Sequence, residues 1–371
     1  MTVQILVGDV FARLADLPNE SVDCAITSPP YWGLRDYGVE GQLGMEATLG
    51  EHIETMVRVF DEVRRVLKPE GTLWLNYGDC YATKPNGRSA ADTKAAVNDD
   101  RTFRDKPFST VQGVLKSKDL CMVPNRIAIA LQEAGWWVRS EIVWAKPNPM
   151  PDSSGRYRPS TAHEKIWLLT KSAKSYYDSE AVRMPAADAS LQRWSQDVEG
   201  QQGSDRANAG GKTNGPMRAV GGSTDKQRGH SRRHQGFNDR WGQMTKAEQQ
   251  ANGRLLRNCE PDLSPIVPPE VWTIPTAGFT EAHFATFPPA LVTPCILAGC
   301  PAGGVVLDPF GGAGTTGLVA DRLGRDAILI ELNPAYAEMA QERLRANLCS
   351  VQNVSKPRKQ DAGPLFAGAT A

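Results

Sequence analysis

The chain has 371 residues, 40% of them hydrophobic, with 42 basic and 42 acidic side chains and a formal net charge of zero. That length buries one large core or two smaller ones, and the balance neither demands nor excludes a polyanionic partner, so any basic surface must be local. The seven cysteines are scattered, odd in number and without a Cys-x-x-Cys pair, which speaks against a disulfide framework or a structural zinc site, and no metal is expected.

The N-terminal stretch MTVQILVGDVF lacks the basic start and long apolar run of a signal peptide. No run approaches the roughly 18 apolar residues of a membrane span, so a cytoplasmic protein with no membrane partner is expected. Strands are expected at Val3–Val7 and Val22–Thr27. The second runs straight into Ser28-Pro29-Pro30-Tyr31, a rigid turn with an aromatic at a strand end. A helix is expected over 51–67, where Ile53, Met56, Val57, Phe60, Val63, Val66 and Leu67 form one apolar face. Lys68-Pro69-Glu70-Gly71 is expected to stop it ahead of a strand at 72–77. Residues 82–118 are polar, irregular and too long for a simple connector. A helix near 123–134 and strands near 137–144 and 165–170 close this first region at about residue 178.

From 179 to 262 Gly, Gln, Asn, Ser and Arg dominate, and a basic cluster runs from Arg228 to His234. Two readings stay open there: a solvated, partly disordered insertion, or a surface that meets nucleic acid phosphates. Order returns near Pro265, with a helix over 283–300 and then a buried strand at Val305–Asp308. A glycine-rich turn, a helix at 315–323, a strand at 327–332 and a helix at 334–348 follow. The tail from 349 to 371 is low in apolar residues and expected to be disordered. Alternating strands and helices predict βα units and a parallel sheet.

The glycine turn, Asp308-Pro309-Phe310-Gly311-Gly312-Ala313-Gly314-Thr315-Thr316, joins a strand end to a helix start. Glycines let a backbone approach a ligand closely, and helix-start N–H groups hold a carboxylate or phosphate. The dinucleotide pattern Gly-x-Gly-x-x-Gly fails here, and no Gly-Lys-Ser/Thr follows to make a phosphate loop. A purely structural turn remains an alternative. Glu331 ends the next strand, about 20 residues beyond the glycines, where an acid is placed to accept from ribose hydroxyls. Alone it reads more often as a solvated charge.

Thr27 to Tyr31 together with Asp308 to Thr316 closely resembles the amino-group DNA methyltransferases, in the permuted β class that places the catalytic motif before the cofactor motif. Further segments fall in the family's order: Gly8-Asp9, Leu67 to Trp74, His163 to Lys171 and His283 to Leu291. The resemblance covers roughly 1–178 and 265–348. It implies a Rossmann-like, S-adenosylmethionine-dependent fold with a mostly parallel, seven-stranded sheet. Residues 1–178 would form the catalytic half and 263–348 the cofactor half, with 179–262 inserted for target recognition and 82–118 as a DNA-facing loop.

The same resemblance implies roles. Ser28, Pro29, Pro30 and Tyr31 would be catalytic, and Asp9, Asp308, Pro309, Phe310, Gly311, Gly312, Gly314, Thr315, Thr316 and Glu331 would bind the cofactor. Asp9 would contact its adenine end, Phe310 would pack beside it and Asp308 would face its amino group. Thr315 and Thr316 would bond its carboxylate or cap the helix. An exocyclic amine is a poor nucleophile, because its lone pair is delocalised into the ring. The base must leave the duplex, and the Ser28 hydroxyl and Pro29 carbonyl can then bond the NH₂ group and favour a pyramidal nitrogen. Tyr31 would offer a stacking face.

Ser-Pro-Pro-Tyr favours cytosine N4 over adenine N6, although Ser, Asp and Asn all accept from an amine. Trp32, Arg35 and Tyr37 would line the base pocket, fill the gap in the duplex or pack the loop. Lys146 to Pro151 and Arg156 to Arg158 would meet phosphates at the same rim. Double-stranded DNA is the expected partner, with a monomer or homodimer as the assembly and restriction-modification as the setting. Ala362 to Phe366 faintly resembles peptides that dock on the bacterial sliding clamp. The rivals are an RNA or protein methyltransferase on the same core and a catalytically silent DNA-binding protein.

Overall fold

The computed structural model describes residues 2–34, 38–84, 108–149, 157–184, 268–276 and 287–352. The expectations placed on residues 185–267, on Arg35 and Tyr37, on 85–107 and on the tail beyond 352 lie outside these residues.

In chain order the elements are β1 (Val3–Val7), α1 (Val10–Ala15), β2 (Val22–Thr27), α2 (Leu49–Val66), β3 (Leu67–Tyr77), α3 (Val123–Glu133), β4 (Trp137–Ala145), β5 (His163–Thr170) and β6 (Val271–Thr273). Then follow α4 (Pro289–Gly299), β7 (Val305–Asp308), α5 (Thr315–Arg322), β8 (Asp326–Glu331) and α6 (Pro334–Gln352). The strands form one sheet in the order β1-β8-β7-β2-β3-β5-β4-β6. Only the β3–β5 and β4–β5 pairings are antiparallel. The sheet is therefore mostly parallel, as expected, but has eight strands among the described residues rather than seven. The extra one, β6, spans three residues after Pro268 and Pro269, too short for a period-2 pattern. It is held by pairing to β4 and by the buried Trp272 against Trp74.

Local sequence explains the starts and stops. Thr48 and Glu51 form a reciprocal capping box, which begins α2 two residues earlier than its apolar periodicity suggests. Lys68 to Gly71 does not make the expected stop. Leu67 is already extended at φ −66° and ψ 139°, and the chain passes directly from α2 into β3, paired to Val22. Lys68 Nζ bonds both carboxylate oxygens of Asp23 at 2.8 and 2.9 Å, tying the junction to β2. The short α1, absent from the sequence reading, is N-capped by Asp9, whose Oδ1 accepts from Ala12 N at 3.0 Å.

Every residue of β2 is buried, as befits a central strand covered on both faces. One face packs Leu14, Met56, Phe60 and Leu75 with α1, α2 and α3. The other packs Ile26, Trp74, Ile166, Leu291 and Ile296 with α4 and α5. The neighbours β7 and β2 are parallel, and from them the chain departs in opposite directions, toward β8 and toward β3. That is the switch point of an open α/β sheet, where a crevice opens beyond the strand ends.

Candidate active site

The loops leaving β1, β2, β7 and β8 surround one cavity of about 340 Å³ at that crevice. Ser28, Pro29, Pro30 and Tyr31 line it from one side. Asp9, Asp308, Pro309, Phe310, Gly311, Gly312, Thr315 and Glu331 line it from the other. Two segments some 280 residues apart thus meet at one cavity, and a direct bond joins them: Thr27 Oγ1 donates to Asp308 Oδ1 at 2.7 Å.

Asp308 is buried and organises the glycine turn. Its Oδ2 accepts from Thr316 Oγ1 at 2.6 Å and its Oδ1 also accepts from Phe310 N at 3.1 Å. Burial pushes its carboxyl up to about 6, against the opposing effect of these bonds. Thr316 is fully buried and neither lines the cavity nor caps α5, because its hydroxyl is spent on Asp308. The cap position is Gly314, at φ +77°, and it too lies off the cavity. A Cβ there would stand 2.8 Å from Ala340 Cβ, so glycine is needed for both conformation and space. Thr315 reaches the cavity, and its Oγ1 accepts from Arg343 Nη1 at 3.2 Å.

Glu331 closes the turn from β8. Its Oε2 accepts from Gly312 N and its Oε1 from Asn333 N, both at 2.8 Å. Burial raises its carboxyl above the usual range. Gly312 sits at φ +50°, and a side chain there would meet no protein atom closer than the Phe310 carbonyl at 4.0 Å. The turn therefore presents bare backbone and two carboxylates, Glu331 and Asp9, to open space. Those carboxylate acceptors fit a nucleoside with ribose hydroxyls, which matches S-adenosylmethionine.

The opposite wall is a hydrogen-bonded chain. Ser28 Oγ donates to Tyr31 Oη at 3.1 Å, and Tyr31 Oη donates to Glu164 Oε2 at 2.9 Å. Asn76 Nδ2 donates to the same Glu164 oxygen at 2.8 Å and to Tyr31 Oη at 3.3 Å. Lys146 Nζ pairs with Glu164 Oε1 and lies over the Trp144 ring. The Tyr31 ring stacks on Tyr77 with centroids 4.5 Å apart. Burial first, and then the Glu164 charge, push the Tyr31 phenol well up, so it keeps its proton.

Beneath this wall, Tyr77 Oη accepts from Trp32 N at 3.1 Å and meets the Pro30 carbonyl at 3.3 Å. His52, fully buried on α2, contacts the same hydroxyl through Nε2 at 2.6 Å and Glu46 Oε2 through Nδ1 at 2.7 Å.

Several expectations change. Trp32 does not line the pocket. It is buried and packs against Phe108, as in the loop-packing alternative. Lys146 is paired with Glu164 at the cavity instead of facing phosphates, and Arg158 lies over the Tyr81 ring at 3.6 Å. The sequence reading had no role for Asn76, Tyr77, Glu164, His52 or Glu46. Asn76 lies within an expected strand and Glu164 just before one, and a strand-end carboxylate ordinarily reads as a solvated charge.

The family model described as "DNA methylase", covering N6 and N4 methyltransferases, matches residues 22–342. The chain is 38% identical to type II methyltransferase M.XycI of Xanthomonas campestris pv. cyanopsidis over 94% of this chain and 89% of that protein. It is also 38% identical to type II methyltransferase M.SmaI of Serratia marcescens, over 92% and 90%. Among solved structures, PvuII DNA methyltransferase (cytosine-N4-specific) shares the fold with a TM-score of 0.54 and 17% identity, over 95% of this chain and 93% of that chain.

Proposed function

The chain belongs to the N6/N4 DNA methylase family, S-adenosylmethionine-dependent enzymes that modify an exocyclic amine of DNA, and from that premise we propose that its target is N4 of a cytosine flipped out of double-stranded DNA. The observation that carries this is the shared cavity: the glycine turn with Glu331 on one wall and the Ser28–Tyr31 turn on the other.

S-adenosylmethionine, when bound, supplies an electrophilic methyl group. In this reading Glu331 accepts from the ribose, and Gly312 admits the nucleoside to bare backbone. Asp9 faces its adenine end and Phe310 packs beside it. Asp308 acts mainly by holding the turn, since both its oxygens already accept from Thr27, Thr316 and Phe310. The base stacks on the Tyr31 face opposite Tyr77. Ser28 Oγ and the Pro29 carbonyl accept N–H bonds from the amine, which directs its lone pair toward the methyl donor. The prolines stiffen the turn that aims these acceptors. In this reading the modification belongs to one short duplex site.

The test is single-molecule sequencing of DNA from a methylation-free host that expresses the protein. 4-Methylcytosine in one short motif is the expected result. 6-Methyladenine in that motif would overturn the choice of base, and unmarked DNA despite a protein that binds S-adenosylmethionine would overturn the reading as a whole.

A further inference from the structure

Glu164 comes from β5, 133 residues beyond Tyr31, yet it sits at the hub of the base-facing wall. An ionised carboxylate has no proton to donate, and Glu164 Oε1 is held by its ion pair with Lys146. Both groups that reach Oε2, Tyr31 Oη and Asn76 Nδ2, must therefore donate. The direction of the whole chain follows from proton counting. Tyr31 has one hydroxyl proton, and it is committed to Glu164. Its oxygen can only accept from its other neighbours, so Ser28 Oγ donates to it at 3.1 Å. Ser28 also has one proton, and that is now spent, so its remaining valences toward the cavity are lone pairs. Asn76 is oriented in the same way. Its Nδ2 is taken by Glu164 and Tyr31, which rules out the flipped amide, and its Oδ1 is a buried acceptor without a partner.

We infer that Glu164 is a specificity-determining positioning residue: through Tyr31 it makes Ser28, beside the Pro29 carbonyl, present acceptors only, so that the pocket takes a base edge bearing an amine and refuses one bearing a carbonyl. Rejection follows because a keto oxygen brought against two acceptors leaves buried lone pairs facing each other with no proton between them. This rests on the function proposed above and deepens it. The same geometry serves cytosine and adenine and excludes their deaminated counterparts.

Glu164→Gln keeps the shape but supplies a donor. Tyr31 is then free to donate to Ser28, and the Ser28 proton turns toward the base. The probes are duplexes carrying the motif found by sequencing, with the target base either intact or replaced by its keto counterpart, uracil for cytosine or hypoxanthine for adenine. Fluorescence anisotropy gives the affinity ratio of the two duplexes for each protein. Base-flipping costs are common to the variants, so the change in ratio isolates the pocket. Glu164→Gln is expected to move the preference toward the keto duplex by about tenfold or more, the scale of one mispaired hydrogen bond. Tyr31→Phe frees the Ser28 proton without touching Glu164 and should shift the preference the same way, so it decides the matter if Glu164→Gln does not fold. An unchanged ratio in a folded Glu164→Gln protein, or in Tyr31→Phe when the former fails, overturns the inference. Failure of the function itself is separate: it shows as unmethylated DNA with the wild-type protein.

Discussion

Gly312 and Glu331 hold each other: the Gly312 amide donates to Glu331 Oε2 at 2.8 Å, tying the glycine turn after β7 to the end of β8. The carboxylate proposed to meet a ribose is thus the one that shapes the turn beside it. Replacing it acts on both.

Glu331→Gln retains one acceptor oxygen and puts an N–H against either Gly312 N or Asn333 N. A hydrogen bond to a charged group is worth about 1.5–3 kcal/mol, so the Kd for S-adenosylmethionine should rise by about tenfold or more. Isothermal titration calorimetry measures this directly. An unchanged Kd would remove Glu331 from the cofactor site.

Gly78 follows Tyr77 at the end of β3, and a Cβ at that position would stand 2.7 Å from Tyr31 Cε2. Gly78→Ala must displace the ring and with it the Ser28–Tyr31–Glu164 chain. A shift of that size costs about 100-fold in a well-positioned reaction, so methyl transfer should fall steeply while cofactor affinity stays within twofold. Equal losses in both would mean a general collapse of the site.

Glu46 and His52 form a buried pair beneath the catalytic turn. Burial pushes the Glu46 carboxyl up, but hydrogen bonds and charge from His52, with the Gly44 amide, outweigh it and hold the carboxyl below its usual range. His52→Ala leaves the carboxylate without its ring partner and should destabilise the protein by about 3 kcal/mol at neutral pH, read as a fall in denaturation midpoint. A lowered carboxyl contributes stability that is present above its unfolded pKa and lost as pH falls through the folded one. The gap between variant and wild type should therefore narrow on acidification. A gap that stays constant with pH would show that the charge of Glu46 is not involved.

Asp308 gives the opposite sign. Its carboxyl is raised to about 6, so the folded protein binds a proton more tightly than the unfolded chain does. Its ionised form costs stability at neutral pH, and that cost is relieved as pH falls through 6 toward the unfolded value. Between pH 8 and pH 5 the wild type should gain roughly 1 kcal/mol that Asp308→Asn does not. Thermal melts of the two proteins across this range test it. Parallel curves would mean that Asp308 titrates with an ordinary pKa.

Much of this molecule is written locally. The largely apolar Val22–Thr27 and Val305–Asp308, the periodic face of α2 and the glycines after Asp308 need no distant partner to be read, because strand, helix and turn preferences act over a few residues. The two motifs with their order suffice for the family. The residues that set the chemistry around them were not legible. Glu164 and Lys146 look like ordinary charges at strand ends, and His52 like one polar residue on an amphipathic helix. Their roles arise only when β5 pairs antiparallel to β3, bringing Glu164 to Asn76 and Tyr31, and when α2 packs His52 against Tyr77. Burial, proton direction and charge pairing depend on which groups meet across the sheet. Sequence alone determined the family through its two motifs, and tertiary packing decided which groups meet at the cavity and which way their hydrogen bonds run.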